Sequence, residues 1–371
     1  MPAGETPDGN DIGALAAEIF ADSCPPETVR TLMATQDGFD RAMWQRWASE
    51  TGLPGIGIPE TYGGAAFPLA ALAGVFTAAG RTLVCAPLLG TVGLAAPLLV
   101  AAAEAGADTE AAKRWLPALC EGTLTATVAT PEASRVRAAP AAAGGWQLTG
   151  EVDRAVDGAT ADLLLIIAGL PDGGTGLFAV PAADAPGLTR TTLMSLDLTR
   201  RQAALALDGV PAARLGAAAP DGWIDTALDT SRVLLAAELV GVAQFCLDTT
   251  VAYTVQRIQF GRPIGSFQAV KQRAAEMLVK LELAKSGAWH AAEAADAGAD
   301  DRAVAAALAK ATCAETATTL AAEAIQLHGG IGFTWEHEVH LRYKRAITDD
   351  QLLGSASAQW GRVAAHLDQA L

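Results

Sequence analysis

One acid stands alone in an apolar run. Between Asp229 and Asp248 the chain reads TSRVLLAAELVGVAQFCL, and Glu238 is its only carboxylate. A carboxylate buried in such a segment is costly unless it has a partner or a task. Burial also raises its proton affinity toward that of a working general base. Two readings are open: a base, or a structural Glu paired with an Arg across neighbouring helices. A second candidate is RIQFGRPIGSFQAVKQ, Arg257–Gln272. Arg257 ends one helical pattern, Phe260 and Gly261 turn the chain, and Gln268 opens the next. A guanidinium beside an open helix N-terminus suits a pyrophosphate; a plain basic helix–helix loop is the other reading.

The third candidate is QLHGGIGFTWEHEVHLRYKRA, Gln326–Ala346. Gly329 and Gly330 let a ligand approach the backbone closely, which is compatible with Gly329 closing a helix. His337 and His340 have a ligand-like spacing, but only His328 is near and no cysteine joins them. Solvated or interface histidines are the simpler expectation, and no metal is assigned. No GxGxxG after a strand, GxxxxGK[ST], HExxH or GxSxG is present. A nicotinamide Rossmann site, a P-loop and a serine hydrolase are therefore disfavoured.

The elements that would position these residues fall into three stretches. Residues 1–122 form a helical domain, with apolar spacing of three and four over Asp11–Phe20, Pro26–Thr35, Phe39–Thr51, Leu69–Thr82, Leu94–Ala105 and Thr109–Glu121. Residues 123–220 carry short β-prone runs separated by Asp, Gly and Pro turns, predicting a small antiparallel barrel or sandwich. Residues 221–371 return to helix. Gly222–Ile258, Phe267–Gly298 and Asp301–Leu327 each fit a long amphipathic helix, a last one starts near Ala356, and together they predict a four-helix bundle.

Composition limits the partners. The 371 residues hold 26 Lys and Arg against 41 Asp and Glu, a net charge of −15, with 51% apolar and 18% charged residues. Disorder is excluded. Non-specific binding to nucleic acid or to an anionic membrane is disfavoured. Five scattered cysteines without a CxxC pair predict reduced thiols and a cytoplasmic setting. The N-terminal MPAGETPDGND has no apolar signal core. Runs such as Val92–Ala103 are too short to span a bilayer.

The order helices–β–helices, WASETGLPGIGIPETYGG, the RxxFGxPIGxFQ segment and the QxHGGIGFT segment together resemble the acyl-CoA dehydrogenase family of flavoproteins, from about Trp44 to Trp360. HGGIGFTWEHEVHLRYKRA is most similar to the actinobacterial branch acting on steroid side-chain or other bulky CoA thioesters. The resemblance implies FAD between the β-domain and the C-terminal bundle, reaching a neighbouring subunit. It implies α-proton abstraction by a carboxylate, hydride transfer from Cβ to the flavin, and reoxidation by an electron-transfer flavoprotein. It places Arg257, Phe260 and Gln268 at the FAD phosphates and adenine side, and Gln326, Gly329 and Gly330 at the same cofactor across a dimer interface. Thr130 and Ser355 would also face the cofactor.

The resemblance also locates the base. Much of the family has a Glu before a Gly-Thr pair, where this chain reads Leu353–Gly354–Ser355; Asp349 and Asp350 lie four and three residues off register. Other members use the helix after the β-domain, at the position matching Ser231, before Arg232. Glu238 lies seven residues on, about 20° short of two turns, and so shares a face with Ser231. The base role passes to Glu238, with Ser231 and Arg232 at the substrate. Thr130–Arg135 reads TPEASR without the family's glycine and Ser-Asp end, and Arg154–Ala155–Val156 lacks the family's flavin-contacting Trp. The implied function is FAD-dependent desaturation of a bulky acyl-CoA in a homo-oligomer, or in a heterotetramer with a second acyl-CoA dehydrogenase chain. The alternative is a non-catalytic or flavin-sharing partner subunit; a third is a flavin monooxygenase or nitroalkane-oxidase relative.

Overall fold

The computed structural model describes residues 9–105, 109–142, 144–217 and 219–370. Most of the N-terminal stretch considered above for a signal lies outside the described residues. The chain divides into two compact units, interleaved in sequence. One holds residues 1–30, 68–84 and 232–371; the other holds 31–67 and 85–231.

In the second unit, Asp40 accepts a hydrogen bond from Ala42 N at 2.8 Å and so starts α3, Arg41–Thr51, which Gly52 ends in the left-handed region. A π-helical stretch, Leu88–Ala95, leads into α5, Ala96–Glu104, and is followed by α6, Thr109–Cys120. The strands are β1 (Ala126–Ala129), β2 (Arg137–Pro140), β3 (Trp146–Val156), β4 (Leu163–Gly169), β5 (Thr175–Pro181), β6 (Leu188–Thr192) and β7 (Gln202–Leu215). Strand β5 pairs with both β4 and β7, so β4-β2-β3-β7-β5 closes on itself. Inside lie Leu148, Val152, Ile166, Phe178, Val180, Leu205 and Val210. Most pairings are antiparallel as expected. β1 and β2 run parallel to β4, an orientation that alternation of side chains does not encode.

The first unit is helical: α1 (Gly9–Ser23), α2 (Pro26–Leu32, up to Arg30), α4 (Leu69–Thr82), α7 (Trp223–Gln256, from Arg232), α8 (Gln268–Asp296), α9 (Arg302–His328), α10 (Val339–Gln351) and α11 (Ala356–Ala370). Helix α9 packs on α8, α10 and α11, its many alanines giving good helix propensity. Asp296, at the end of α8, accepts Leu69 N at 2.7 Å and Ala70 N at 3.0 Å, capping α4 from a distant part of the chain. Helix α10 falls where no helix was predicted. Helix α7 is long and apolar enough by composition to cross a bilayer, and 78% of its most apolar window is buried in the fold.

Candidate functional site

Glu238 is 1% exposed, and so is able to act only through groups brought to it. Helix α4 crosses α7 there with almost no gap. A Cβ on Gly80 would lie 2.0 Å from the Glu238 carbonyl oxygen, and one on Gly241 would lie 1.9 Å from that of Thr77. The Thr77 hydroxyl donates to the Ala237 carbonyl at 3.1 Å across the same crossing. From α10, Arg345 Nη1 donates to Glu238 Oε1 at 2.5 Å, and Arg345 is itself 0% exposed. The pair joins two helices through a water-excluded contact, the arrangement foreseen if Glu238 were structural. Sequence reasoning expected an Arg of this kind without identifying which.

The turn between α10 and α11 carries Leu353–Gly354–Ser355, the tripeptide that the resemblance matches to a Glu and a Gly-Thr pair. Leu353 is buried there with φ of 59°, a backbone region that side chains rarely adopt. Three groups hold the turn. Lys310 Nζ donates to the carbonyls of Asp350 at 3.2 Å and Gly354 at 3.5 Å. Gln359 Nε2 donates to the Leu353 carbonyl at 2.6 Å, and Asp350 Oδ1 accepts Ala356 N at 2.9 Å. Lys310 is fully buried, and burial pulls its ammonium down to about 8 against the opposing charges of Asp350 and Asp349. Asp349 is buried too, whereas Asp350 is spent on this local cap. Ser355 Oγ accepts Ala358 N at 3.4 Å and sits just before α11 as a helix cap.

The Arg257–Gln268 segment is a two-residue hairpin, Ile258–Gln259 paired with Arg262–Pro263. Phe260 and Gly261 both have positive φ, 55° and 76°, as the tightest hairpin turn requires. Phe260 is 92% exposed at the tip. Arg262 covers Phe267 at 4.0 Å, and Phe267 precedes α8 with no side-chain cap; its carbonyl takes Val270 N at 3.1 Å, so the Gln268 and Ala269 N–H groups are those left for an incoming anion. Tyr253 stacks on His328 at 4.5 Å and joins the end of α7 to the end of α9. Beyond it Gly329 takes φ 66°, ψ −145°, a conformation essentially reserved for glycine, and no atom lies within 4 Å of where a Cβ would stand on Gly329 or Gly330. Gln326, Gly329 and Gly330 are all exposed. Uncapped helix start, exposed Arg257 and open glycine backbone fit a pyrophosphate-bearing cofactor.

Thr130, in the other unit, donates its hydroxyl to Glu132 Oε1 at 2.7 Å. Ser231 and Arg232 are buried within α7, and the Ser231 hydroxyl meets no hydrogen-bond partner among the described residues. Of the two expectations for the histidines, solvation does not hold for His340. His340 is 5% exposed and His328 is buried, neither being solvated, while His337 is half-buried with its ring 4.5 Å from His328. The apolar and aromatic residues interleaved in IGFTWEHEVHL were the available signal.

A model described as acyl-CoA dehydrogenase, C-terminal domain, matches residues 221–367, and one described as acyl-CoA dehydrogenase, N-terminal domain, matches residues 6–123. The chain is 37% identical over 346 residues to acyl-CoA dehydrogenase IpdE2 of Mycobacterium tuberculosis (strain ATCC 25618 / H37Rv), covering 91% of each. Among solved structures it is similar to a variant of the Tcur3481–Tcur3483 steroid ACAD, with 32% identity, 98% of both chains covered and a TM-score of 0.87. It is also similar to the ChsE4–ChsE5 complex from Mycobacterium tuberculosis, with 29% identity, 99% of both chains covered and a TM-score of 0.88.

Proposed function

Because the chain belongs to the acyl-CoA dehydrogenase family, we propose that it desaturates a bulky or branched acyl-CoA thioester between Cα and Cβ, a steroid side-chain thioester being the favoured class. The resemblance to a steroid ACAD supports that class. Members of the family are FAD-binding flavoproteins. Arg257, Phe260 and Gln268, with Gln326, Gly329 and Gly330, would hold FAD. When bound, FAD supplies the acceptor for the hydride that leaves Cβ, and an electron-transfer flavoprotein takes the electrons on. Five free cysteines, four of them buried, suit a reducing cytoplasm.

The observation that carries the reading is Glu238 itself, the carboxylate of α7 buried in an otherwise apolar stretch, where the resemblance places the base. In the reaction the Cα–H bond breaks and its proton passes to the Glu238 carboxylate. The Cβ–H bond breaks with its electron pair, and the two carbons share the new double bond. Ser231 and Arg232, on the same helix, would line the thioester end. The test is Glu238→Gln, with desaturation followed by dye reduction and flavin quantified per chain. A loss of about 10²–10⁴-fold at unchanged flavin content is expected of a general base; a wild-type rate at full flavin content sinks the assignment.

A second reading rests on Leu353, which stands where a base would, and on relatives that are two-component complexes. This chain would then be a flavin-sharing partner of a second acyl-CoA dehydrogenase chain. The visible spectrum separates the two: one flavin per chain in the protein expressed alone favours a self-sufficient homo-oligomer. A colourless protein that becomes yellow only when co-purified with a second dehydrogenase chain favours the heteromer.

A further inference from the structure

Two positive charges are left unmatched at the start of α10. Arg30, on α2, donates from Nη2 to the His337 carbonyl at 3.3 Å, and Lys344 Nζ lies 4.5 Å from the centre of the Trp335 ring. Among the described residues neither has a carboxylate within ion-pair reach, whereas the neighbouring Arg342 is matched by Glu338 at 2.8 Å. In a chain of net charge −15, an excess of cations at one spot is a local exception.

His340 lies among them. It is 5% exposed, its ring stands edge-on to Trp335 at 5.0 Å, and its Nε2 has no hydrogen-bond partner among the described residues. A buried polar atom left this way costs about 1–3 kcal/mol unless something outside the chain satisfies it. Burial, followed by the charges of Lys344, Arg30, His337 and Arg342, lowers its imidazole to about 4, so at neutral pH the ring is uncharged and can present an N–H. Side chains of the first helical turn lean back over the N-terminus. Among the described residues His337 Nδ1 accepts Val339 N at 3.3 Å and the Glu338 carbonyl accepts Leu341 N at 3.0 Å, which leaves the His340 N–H at the positive end of a 13-residue helix. No three His, Cys, Asp or Glu side chains converge as a cation set among the described residues. Cations, a helix N-terminus and an unpartnered ring nitrogen all ask for an anion.

We propose that Arg30, His340, Lys344 and the N-terminus of α10 form a binding site for a phosphate group. The half-exposed Trp335 gives it a flat wall, which a nucleotide base can use and inorganic phosphate cannot.

The test is isothermal titration of the full chain with inorganic phosphate and with adenosine monophosphate at constant ionic strength, beside the Arg30→Gln/Lys344→Gln double variant. Both substitutions fall on partly exposed positions outside the residues assigned to flavin or substrate. The expected result is binding in the wild type that weakens about tenfold or more in the variant, as loss of charge-assisted contacts implies, at unchanged flavin content. Equal affinity for the two probes assigns free phosphate, and tighter binding of the nucleotide assigns a nucleotide phosphate. No binding at millimolar concentration, or affinity that survives the double substitution, overturns the site. In the unmodified protein, phosphate must also raise the titration midpoint of the His340 ring followed by NMR; an unmoved midpoint overturns the site without any variant.

Discussion

Glu238 and Arg345, 107 residues apart in sequence, close a 2.5 Å ion pair in which neither side chain reaches solvent. Such a pair contributes little over a well-packed apolar replacement, yet breaking it from one side strands a charge. Arg345→Met is therefore expected to destabilise the fold by about 3–5 kcal/mol, and Glu238→Leu/Arg345→Met to recover most of that loss. Urea midpoints at equal m-values measure both. A double variant no better than the single would mean that the two residues act independently.

Gly241 makes a stability prediction opposite to helix propensity. Alanine favours helix over glycine by about 1 kcal/mol. A Cβ here would strike the Thr77 carbonyl oxygen and the Arg81 nitrogen, both backbone atoms that cannot swing away. Gly241→Ala is expected to lower the melting temperature, with the crossing of α4 and α7 forced apart. A rise in melting temperature would show that the helices yield freely.

Lys310 predicts a rise of stability in mild alkali. Its folded value is about 8 against an ordinary 10.5. Between these the unfolded chain holds more protons, so stability increases as pH climbs through that window, and the cost of the buried charge is complete below it. The gain is on the order of 3 kcal/mol. Comparing urea unfolding of the wild type and Lys310→Met on either side of the window isolates it, since the methionine variant lacks this pH dependence.

His340 predicts the acid limb. Its folded value is about 4 against 6.5. The unfolded chain takes up the proton first, so stability is complete above 6.5 and declines as pH falls from 6.5 to 4, by about 3 kcal/mol. His328 and His337 are lowered by burial as well and steepen the decline. His340→Phe, scanned by thermal melts across this range, should flatten it; an unchanged slope would assign the acid sensitivity elsewhere.

The sequence showed the helices best where pattern and boundary signals agreed. Leu69–Thr82 was expected as a helix and is α4 over the same residues. Phe267–Gly298 became α8 with its ends trimmed by one or two residues. Helix α10 was missed because the reading of its segment stopped at the two glycines and the histidine spacing. That omission hid Arg345, and with it the identity of the partner of Glu238. Strand β2 is four residues ending in a proline, too short for alternation to register. Ser355 also caps a helix, a role whose residue type was visible in the sequence. The His328, His337 and His340 cluster depends on packing of α7, α9 and α10, which residue spacing does not report.

Asp296 caps α4 from 227 residues downstream. During synthesis at roughly 5–20 residues per second, α4 leaves the ribosome about 10–45 seconds before its cap exists. Its apolar residues, and those of α1 packed on it, must wait through the whole β-barrel before α8 arrives. The barrel can close during that interval, since its strands follow one another in the chain. A nascent chain arrested before α7 and α8 therefore holds a finished barrel while α1 and α4 lack their later partners, a state that a holdase chaperone binds.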